Sequence, residues 1–273
     1  MVRVGINEII ANQLVKTVDD FNRADSNTIG NGWGKTDISS SQYPTPLRIK
    51  NNAVSCLASG GEVQSGIIYK NIVNCLEYDV YAEIIFTFNS GTWSTMNRFS
   101  FVLFGDKTNI AYQTGVPPTG IGVSVSSSAP NLDVQFSVKG TSVFSAPSAM
   151  TFSYGDRISY RARITRAGSI KAKIWLTINS EPTNWQYIYI APTAPVGLFN
   201  NNDIIAYMEA QTANGSSGET DLDFISVTNK NSMLLNFFLP SQSGNKLTTS
   251  VALPVADSAN ETPTVSGLAG YLG

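Results

Sequence analysis

Short runs of β-forming residues, each ended by a cluster of Gly, Pro or Asn, follow one another from about residue 47 to 228. In the run at residues 78–88 every second side chain is apolar: Val80, Ala82, Ile84, Phe86 and Phe88. A period of two places one face of a strand on a core and the other in solvent. No long amphipathic helical pattern interrupts these runs. We therefore predict roughly ten to twelve strands that form an all-β sandwich of two antiparallel sheets.

The segment at residues 157–178 is a predicted hairpin. Its two alternating runs, RISYRARI and SIKAKIWLTI, are joined through TRAGS, where Gly168 can adopt the positive φ of a tight turn. Strands are also expected in seven further runs: residues 98–104, 120–126, 131–138, 186–190, 195–199, 203–210 and 221–228.

The composition restricts the function classes. Charged residues make up only 14% of the chain, against about 25% in typical globular domains, and the net charge is −2. This charge gives no electrostatic basis for binding nucleic acid or an anionic membrane surface. The chain has no histidine, which removes Ser-His-Asp and Cys-His nucleophiles and the commonest metal ligand. No apolar run approaches the roughly 20 residues that span a bilayer, so no membrane partner is expected.

The two cysteines, Cys56 and Cys75, are too few for a disulfide scaffold or a four-ligand zinc site. Each lies in an apolar segment, so buried free thiols are favoured, with a single bridge between them as the alternative. The first residues lack the continuous apolar core and the small-residue cleavage site of a signal peptide. We therefore expect synthesis in a cytoplasm.

The two ends differ from the strand-rich middle. Residues 1–16 carry apolar side chains without a regular period, and residues 230–273 contain the apolar block MLLNFFLP followed by a polar segment with prolines. Neither end has the length or the pattern to form a core of its own. We predict an N-terminal arm at 1–16, a β-domain at 17–229 and a C-terminal extension at 230–273, with both ends lying along a neighbouring subunit.

Residues 19–33, DDFNRADSNTIGNGW, have neither a helical period nor a strand alternation. Phe21 and Trp33 are natural core anchors, and Arg23 and Asp25 are close enough in sequence to pair or to bond nearby backbone. Three glycines allow the backbone to turn between the anchors: Gly30, Gly32 and Gly34. The stretch is therefore predicted to be a structural clasp at the start of the sandwich.

The same stretch resembles the opening of the concanavalin-A-like (laminin-G-like) jelly-roll domains of bacteriophage virion proteins, which begin D-x-F-x-R-A-D, then L-G, then W. Residues 160–186 resemble the strand pair and the E-P-x-x-W motif of that family, here Glu181, Pro182 and Trp185. PVGLF and TDLDFISV resemble its closing V-G-L and D-D-F-x-V strands. The acidic pair of that last motif is divided here, as Asp221-Leu222-Asp223.

The resemblance implies a jelly roll and a non-enzymatic structural role in a bacteriophage virion. We prefer a head decoration protein, because the sequence has no coiled-coil or fibre repeat, and a tail or fibre adhesin for host surface glycans is the alternative. A glycoside hydrolase is the third class, since this fold also occurs in enzymes. The implied partners are other capsid or tail proteins, bound through residues 1–16 and 230–273. We also expect a homo-oligomer, located in the virion after synthesis in the host cytoplasm.

A candidate glycan-binding strip lies on one side of the predicted hairpin. Its basic side chains and one indole could pair with sugar carboxylates and stack on a sugar ring: Arg157, Arg161, Arg163, Lys171, Lys173 and Trp175. The same alternation is typical of any exposed antiparallel sheet, which is the alternative. Other aromatic residues could line a glycan groove, and the sequence does not separate them from core residues: Trp93, Trp185, Tyr187, Tyr189 and Tyr207.

A second candidate site is acidic. Glu219, Asp221 and Asp223 lie two residues apart, so a regular strand would project all three from one face. Laminarinase-type glucanases share the jelly roll and carry E-x-D-x-x-E, whose nucleophile and acid/base stand about 5 to 5.5 Å apart. Here the third acidic residue comes one position early and is Asp. The alternatives are a solvated edge face, a calcium cluster, or a catalytic pair formed by Glu219 and Asp223; no cofactor is otherwise expected.

Overall fold

A computed structural model gives the fold, and it describes residues 16–38, 46–59, 63–71, 79–90, 97–109, 119–128, 131–165, 167–192, 203–211 and 217–229. These residues form fifteen strands and no helix, and so no helix that could cross a membrane. The strands are β1 (Lys16–Asp19), β2 (Gly34–Ile38), β3 (Leu47–Lys50), β4 (Ala53–Ser59), β5 (Val63–Asn71), β6 (Val80–Ser90), β7 (Arg98–Gly105), β8 (Ile121–Ser128), β9 (Asn131–Val138), β10 (Thr141–Thr151), β11 (Arg157–Ile164), β12 (Ile170–Leu176), β13 (Tyr187–Tyr189), β14 (Asp203–Gln211) and β15 (Ser217–Asn229).

The strands are arranged in two antiparallel sheets. Sheet A has the order β13-β12-β11-β6-β15-β4-β3, and β1 also pairs with β15. Sheet B has the order β10-β9-β8-β7-β14-β5-β2. The predicted all-β sandwich of two antiparallel sheets is therefore confirmed. It has more strands than the ten to twelve expected, because β1 and β2 precede residue 47 and because β10 was not predicted.

The core lies between the two sheets and follows the predicted alternation. Val80, Ala82, Ile84, Phe86 and Phe88 of β6 are all at most 1% exposed. The rings of Phe86 in sheet A and Phe99 in sheet B stack with centroids 4.9 Å apart, so the sheets interlock through aromatic contacts.

Strand β10 is an edge strand whose sequence gives only a weak signal. It contains Pro147, which cannot donate to a ladder, and its side chains are mostly exposed or half-buried. The turn before it is marked by Lys139 and Gly140, both with positive φ (48° and 78°), which is the geometry of a tight hairpin turn. The hairpin turn at Gly168 was predicted and is confirmed, with φ of 85°.

Several predictions lie outside the described residues. They include the strand at 195–199, Trp93, Cys75 and, except for Lys16, both predicted terminal arms at 1–16 and 230–273. The domain boundaries therefore stay predictions. Cys56 is buried and free, and burial raises the pKa of its thiol well above the ordinary value, which makes it unreactive.

The stretch at residues 19–33 connects sheet A to sheet B, and its centre is the buried carboxylate of Asp19. One oxygen accepts hydrogen bonds from the Phe21 backbone N–H (2.8 Å) and the Arg23 guanidinium. The other accepts from the Trp33 indole N–H (3.0 Å) and the Asn31 amide (3.3 Å). Arg23 thus pairs with Asp19 rather than with Asp25.

Asp25 instead accepts a hydrogen bond from the Asn51 backbone N–H at 3.0 Å. Phe21 and Trp33 are 0% and 6% exposed, as expected of core anchors. Phe21 itself has a φ of 51°, a backbone conformation that a bulky side chain adopts only where the surroundings enforce it. The structural clasp predicted from the sequence therefore has Asp19 as its central acceptor.

We predict that Asp19→Ala lowers the free energy of unfolding by about 3 kcal/mol, because it leaves a buried indole N–H and a guanidinium without an acceptor. Urea denaturation followed by tryptophan fluorescence measures this loss. Asp20→Ala is the matched control, since the exposed Asp20 bonds only the Asn22 backbone N–H and its loss should cost about 0.5 kcal/mol or less. Equal effects of the two substitutions would contradict the central role of Asp19.

Candidate functional site

Both predicted sites lie on one surface, the side of sheet A that faces away from the core, which we call the outer face of sheet A. One side of the hairpin β11–β12 faces the core and is buried: Ile158, Tyr160, Ala162 and Ile164. The other side lies on the outer face and carries the basic side chains and the indole: Arg161, Arg163, Lys171, Lys173 and Trp175. Strand β6 separates this hairpin from β15, which carries the acidic residues. The two clusters meet where Arg157 Nε lies 3.7 Å from Asp223 Oδ2.

The basic strip is a network of ion pairs. Arg161 contacts Glu83 (3.3 Å) and Glu181 (2.8 Å). Arg163 lies 2.7 Å from Asp79, and Lys173 lies 3.1 Å from Glu181. The cationic side chains that the sequence places in one strip are therefore compensated by carboxylates from β6 and from the segment after β12, and the strip carries little surplus positive charge.

The segment that resembles the E-P-x-x-W motif fixes this network to the sheet. Glu181 accepts from both Arg161 and Lys173. The Lys173 ammonium lies 4.9 Å from the centre of the Trp185 ring, a cation–π contact, and Trp185 is only 8% exposed. The Gln186 side chain accepts the Ile174 backbone N–H at 2.7 Å. This motif therefore has a structural role, and Trp185 is not available for stacking on a ligand.

A row of apolar side chains crosses the same face. Trp175 of β12 pairs with Ser159 of β11, and Ser159 pairs with Ile85 of β6. Ile85 in turn pairs with Phe224 of β15. Trp175, Ile85 and Phe224 are half-buried, whereas their neighbours Ile84, Phe86 and Ile225 are fully buried on the other side of the sheet. We call Trp175, Ile85 and Phe224 the apolar row. It spans four strands, or about 14 Å at the usual strand spacing.

Sequence reasoning identified Trp175 and missed its companions in the row. Ile85 and Phe224 become its neighbours only through the pairing of β11 with β6 and of β6 with β15. A bulge between Leu222 and Phe224 also shifts the alternation of β15, so that Phe224 joins the outer face. No local pattern reveals either fact.

The acidic residues of β15 each have a partner. Glu219 lies 2.6 Å from the Lys50 ammonium, and Asp223 accepts from the Thr87 hydroxyl at 3.0 Å. Asp221 is 8% exposed and accepts from the Asn89 amide. In the described part of the chain no group of three or more Cys, Asp or Glu side chains is arranged to hold a metal ion. The carboxylates therefore do not converge on one point, as the six to eight oxygen ligands of calcium would.

Asp221 has an unusual electrostatic environment. Burial raises the pKa of its carboxyl to about 7, and the nearby carboxylates of Glu219 and Asp223 add to the rise, while Ser55 and Lys50 oppose it. Burial likewise raises the pKa of Asp223, against the opposing effect of Arg157. At neutral pH a substantial fraction of Asp221 is therefore uncharged, and a neutral carboxyl can donate a hydrogen bond as well as accept one.

The remaining aromatic candidates have structural surroundings. Tyr187 is 7% exposed and belongs to the core, and Tyr189 packs against it. Tyr207 lies on the outer face of sheet B, is 1% exposed and donates to Glu209. It belongs there to a second apolar cluster that is fully buried: Ile67, Val102, Ile205 and Tyr207.

No known protein family and no curated protein matches the sequence. Solved structures match by fold. The CBM2 module of the evolved Dit of Lactobacillus casei BL23 phage J-1 is 8% identical, with a TM-score of 0.51, over 79% of this chain and 96% of that one. The lectin from Bauhinia forficata, solved in complex with GalNAc, is 8% identical, with a TM-score of 0.50, over 79% of this chain and 98% of the lectin.

A third similar structure comes from work on the endo-acting O-glycanases that prominent members of the human gut microbiota express to initiate mucin breakdown. It is 10% identical, with a TM-score of 0.52, over 78% of this chain and 98% of that one. Sequence identities of 8 to 10% show that the chain shares the fold of these proteins and nothing further. The chain is a lectin-like jelly-roll sandwich, which confirms the predicted concanavalin-A-like fold class, whereas its assignment to bacteriophage virions stays a prediction.

We predict that the contribution of Asp221 to the stability of the protein falls as the pH rises from about 4 to 7, because the native state holds a proton on Asp221 that the unfolded chain releases. Asp221→Asn keeps the shape of the side chain and an acceptor for Asn89 but cannot ionise. The free energy of unfolding of this variant should therefore fall less over this pH range than that of the wild type, by on the order of 2 kcal/mol. Urea unfolding at a series of pH values measures the difference, and the exposed Asp20→Asn is the control. Coincident profiles for Asp221→Asn and the wild type would show that Asp221 is ionised throughout.

Proposed function

We propose that the chain is a non-enzymatic carbohydrate-binding protein whose jelly roll is displayed on a bacteriophage particle. The observation that supports carbohydrate binding most directly is the apolar row on the outer face of sheet A. Sugar rings combine an apolar face with a rim of hydroxyl groups, and they are bound by aromatic side chains with hydrogen-bonding groups around them. Trp175 and Phe224 at the two ends of the row provide such aromatic surfaces.

Polar side chains border the apolar row on both sides. Arg161, Glu83 and Lys173 lie in the neighbouring register on one side, and Arg157, Thr87 and Asp223 lie on the other. Their mutual ion pairs hold them in place, so that binding would require little further ordering of side chains. All of them project from central strands of a sheet, which is a more rigid support than a loop.

The carboxylates of β15 support binding rather than hydrolysis. A retaining glycosidase needs two carboxyl groups free to act on one glycosidic bond. Here Glu219 pairs with Lys50, and Asp223 is held by Thr87 and Arg157. These contacts give both carboxylates a structural role in the sheet.

The virion location rests on the resemblance of residues 19–33 and 160–186 to phage jelly-roll domains. The structure gives these motifs roles in folding, as a clasp and as a support for β12, and such roles are compatible with a family signature. We propose head decoration as the placement, with residues 1–16 and 230–273 binding capsid proteins and with several copies assembled together. Placement on the tail as an adhesin is the alternative.

We predict that Trp175→Ala weakens binding to the glycan that the wild type prefers on a glycan array by at least tenfold, because tryptophan is one of the side chains that contribute most to binding energy. Phe224→Ala should act in the same direction. Tyr69→Ala is the matched control, since Tyr69 is a half-buried aromatic on the outer face of sheet B. A wild type that binds no glycan on the array would refute the carbohydrate-binding proposal.

Deletion of residues 230–273 should leave a cooperatively folding sandwich that no longer joins phage particles. The two sheets and the core of the described part of the chain are formed by residues between 16 and 229, so we expect folding to proceed without the extension. Circular dichroism during thermal unfolding tests the fold, and immunogold electron microscopy of particles tests incorporation. We expect label over the head with the full-length chain; label at the tail would favour the adhesin alternative, and unlabelled particles would contradict a virion role.

A further inference from the structure

Arg48 differs from the other arginines of the described residues, because it alone has no carboxylate partner. It lies on β3, is half-buried, and its Nε is buried without a hydrogen-bond acceptor. Each of the others forms an ion pair: Arg23 with Asp19, Arg98 with Glu209, Arg157 with Asp223, Arg161 with Glu83 and Arg163 with Asp79. A buried donor without an acceptor destabilises the protein, and an oxygen of a ligand could supply the missing acceptor.

Arg48 lines an open cleft at the edge of sheet A. Strand β3 is the last strand of the sheet, and the chain before β2 crosses it: Ser26 and Ile49 exchange backbone hydrogen bonds of 3.0 and 2.7 Å. The space beside this bridge has a volume of about 480 Å³, within the range of roughly 300 to 1,000 Å³ found for small-molecule sites. Its lining consists of Asp25, Ser26, Asn27, Arg48, Ile49 and Lys50.

The other charged groups of the cleft leave the Arg48 guanidinium uncompensated. Lys50 is paired with Glu219 at 2.6 Å. Asp25 uses one carboxylate oxygen to accept the Asn51 backbone N–H and forms no ion pair with Arg48. A guanidinium presents a planar fork of donors that matches the two oxygens of a carboxylate, so the cleft suits a carboxylate-bearing ligand better than a neutral one.

The position of the cleft connects it with the apolar row. Arg48 of β3 pairs with Ser55 of β4, which pairs with Asp221 of β15. On the neighbouring strand β6, the partners of Asp221 and Phe224 are two residues apart, Thr87 and Ile85. The Ser55 and Asp221 side chains are themselves buried, 0% and 8% exposed, and so lie beneath this path. From Phe224 to Arg48 the distance along the sheet is roughly 12 Å, estimated from two strand spacings and two residues of rise. A short oligosaccharide on the apolar row could therefore reach the cleft.

We infer that Arg48 is the anchor for the carboxylate of an acidic sugar, so that the glycan preferred by this protein contains a uronic acid. This inference rests on the proposed carbohydrate-binding function. It also gives the ligand an orientation, with the acidic residue in the cleft at β3 and neutral residues extending over Phe224 towards Trp175.

The test uses two probes that differ in whether their carboxyl groups are free or esterified, a galacturonate trisaccharide and its methyl ester, measured by isothermal titration calorimetry at low ionic strength. We expect the wild type to bind the acid at least tenfold more tightly than the ester. Arg48→Gln should remove this difference without lowering the melting temperature, because Arg48 makes no ion pair that the fold would lose. Arg48→Lys should retain part of the difference, since it keeps the charge without the fork.

Lys139→Gln is the control, because it removes one positive charge from an exposed turn of sheet B. It should preserve the preference for the acid. Equal binding of acid and ester by the wild type would overturn the inference and leave the proposed function standing. A preference that survives in Arg48→Gln would also overturn it. Failure to bind the acid, the ester and every neutral glycan would overturn the proposed function together with the inference.

Discussion

The carboxylate of Asp19 is the contact on which the sandwich depends. The residue ends β1 in sheet A, and its four hydrogen bonds hold Phe21, Arg23, Asn31 and Trp33, the last of which immediately precedes β2 in sheet B. Burying a charged carboxylate costs free energy unless hydrogen bonds compensate it. Four hydrogen bonds supply this compensation for Asp19. They also fix the place where the chain crosses from sheet A to sheet B, which brings residues 25–27 against β3.

The same principle of satisfied charge explains the outer face of sheet A. The ion pairs that join Arg161, Arg163 and Lys173 to Glu83, Asp79 and Glu181 leave a surface with little net charge and with side chains held in fixed positions. Arg163 and Lys173 are buried, 9% and 4% exposed, so their ion pairs also offset the cost of removing these charges from water. Against this compensated background, the guanidinium of Arg48 is the exception, and the inferred carboxylate site rests on it.

Much of the fold could be predicted from the sequence, because it depends on alternation within single strands. The inward side chains of β6, β9 and the β11–β12 hairpin followed from their period of two. Pairing between distant strands could not be predicted, since Trp175 and Phe224 are 49 positions apart (224 − 175) and become neighbours in one row only through β11 and β6. The absence of an ion pair at Arg48 could not be predicted either, because a single sequence does not show which carboxylate pairs with which cation.

The two sheets differ in what their outer faces can offer a ligand. On sheet B the apolar side chains of Ile67, Val102, Ile205 and Tyr207 are at most 1% exposed and offer a ligand almost no apolar surface, although Ile38 and Tyr69 beside them are half-buried. On sheet A the apolar row stays partly exposed although it lies in the middle of an otherwise polar face. Binding energy comes from surface that is still in contact with water before the ligand arrives. This difference favours sheet A as the binding surface.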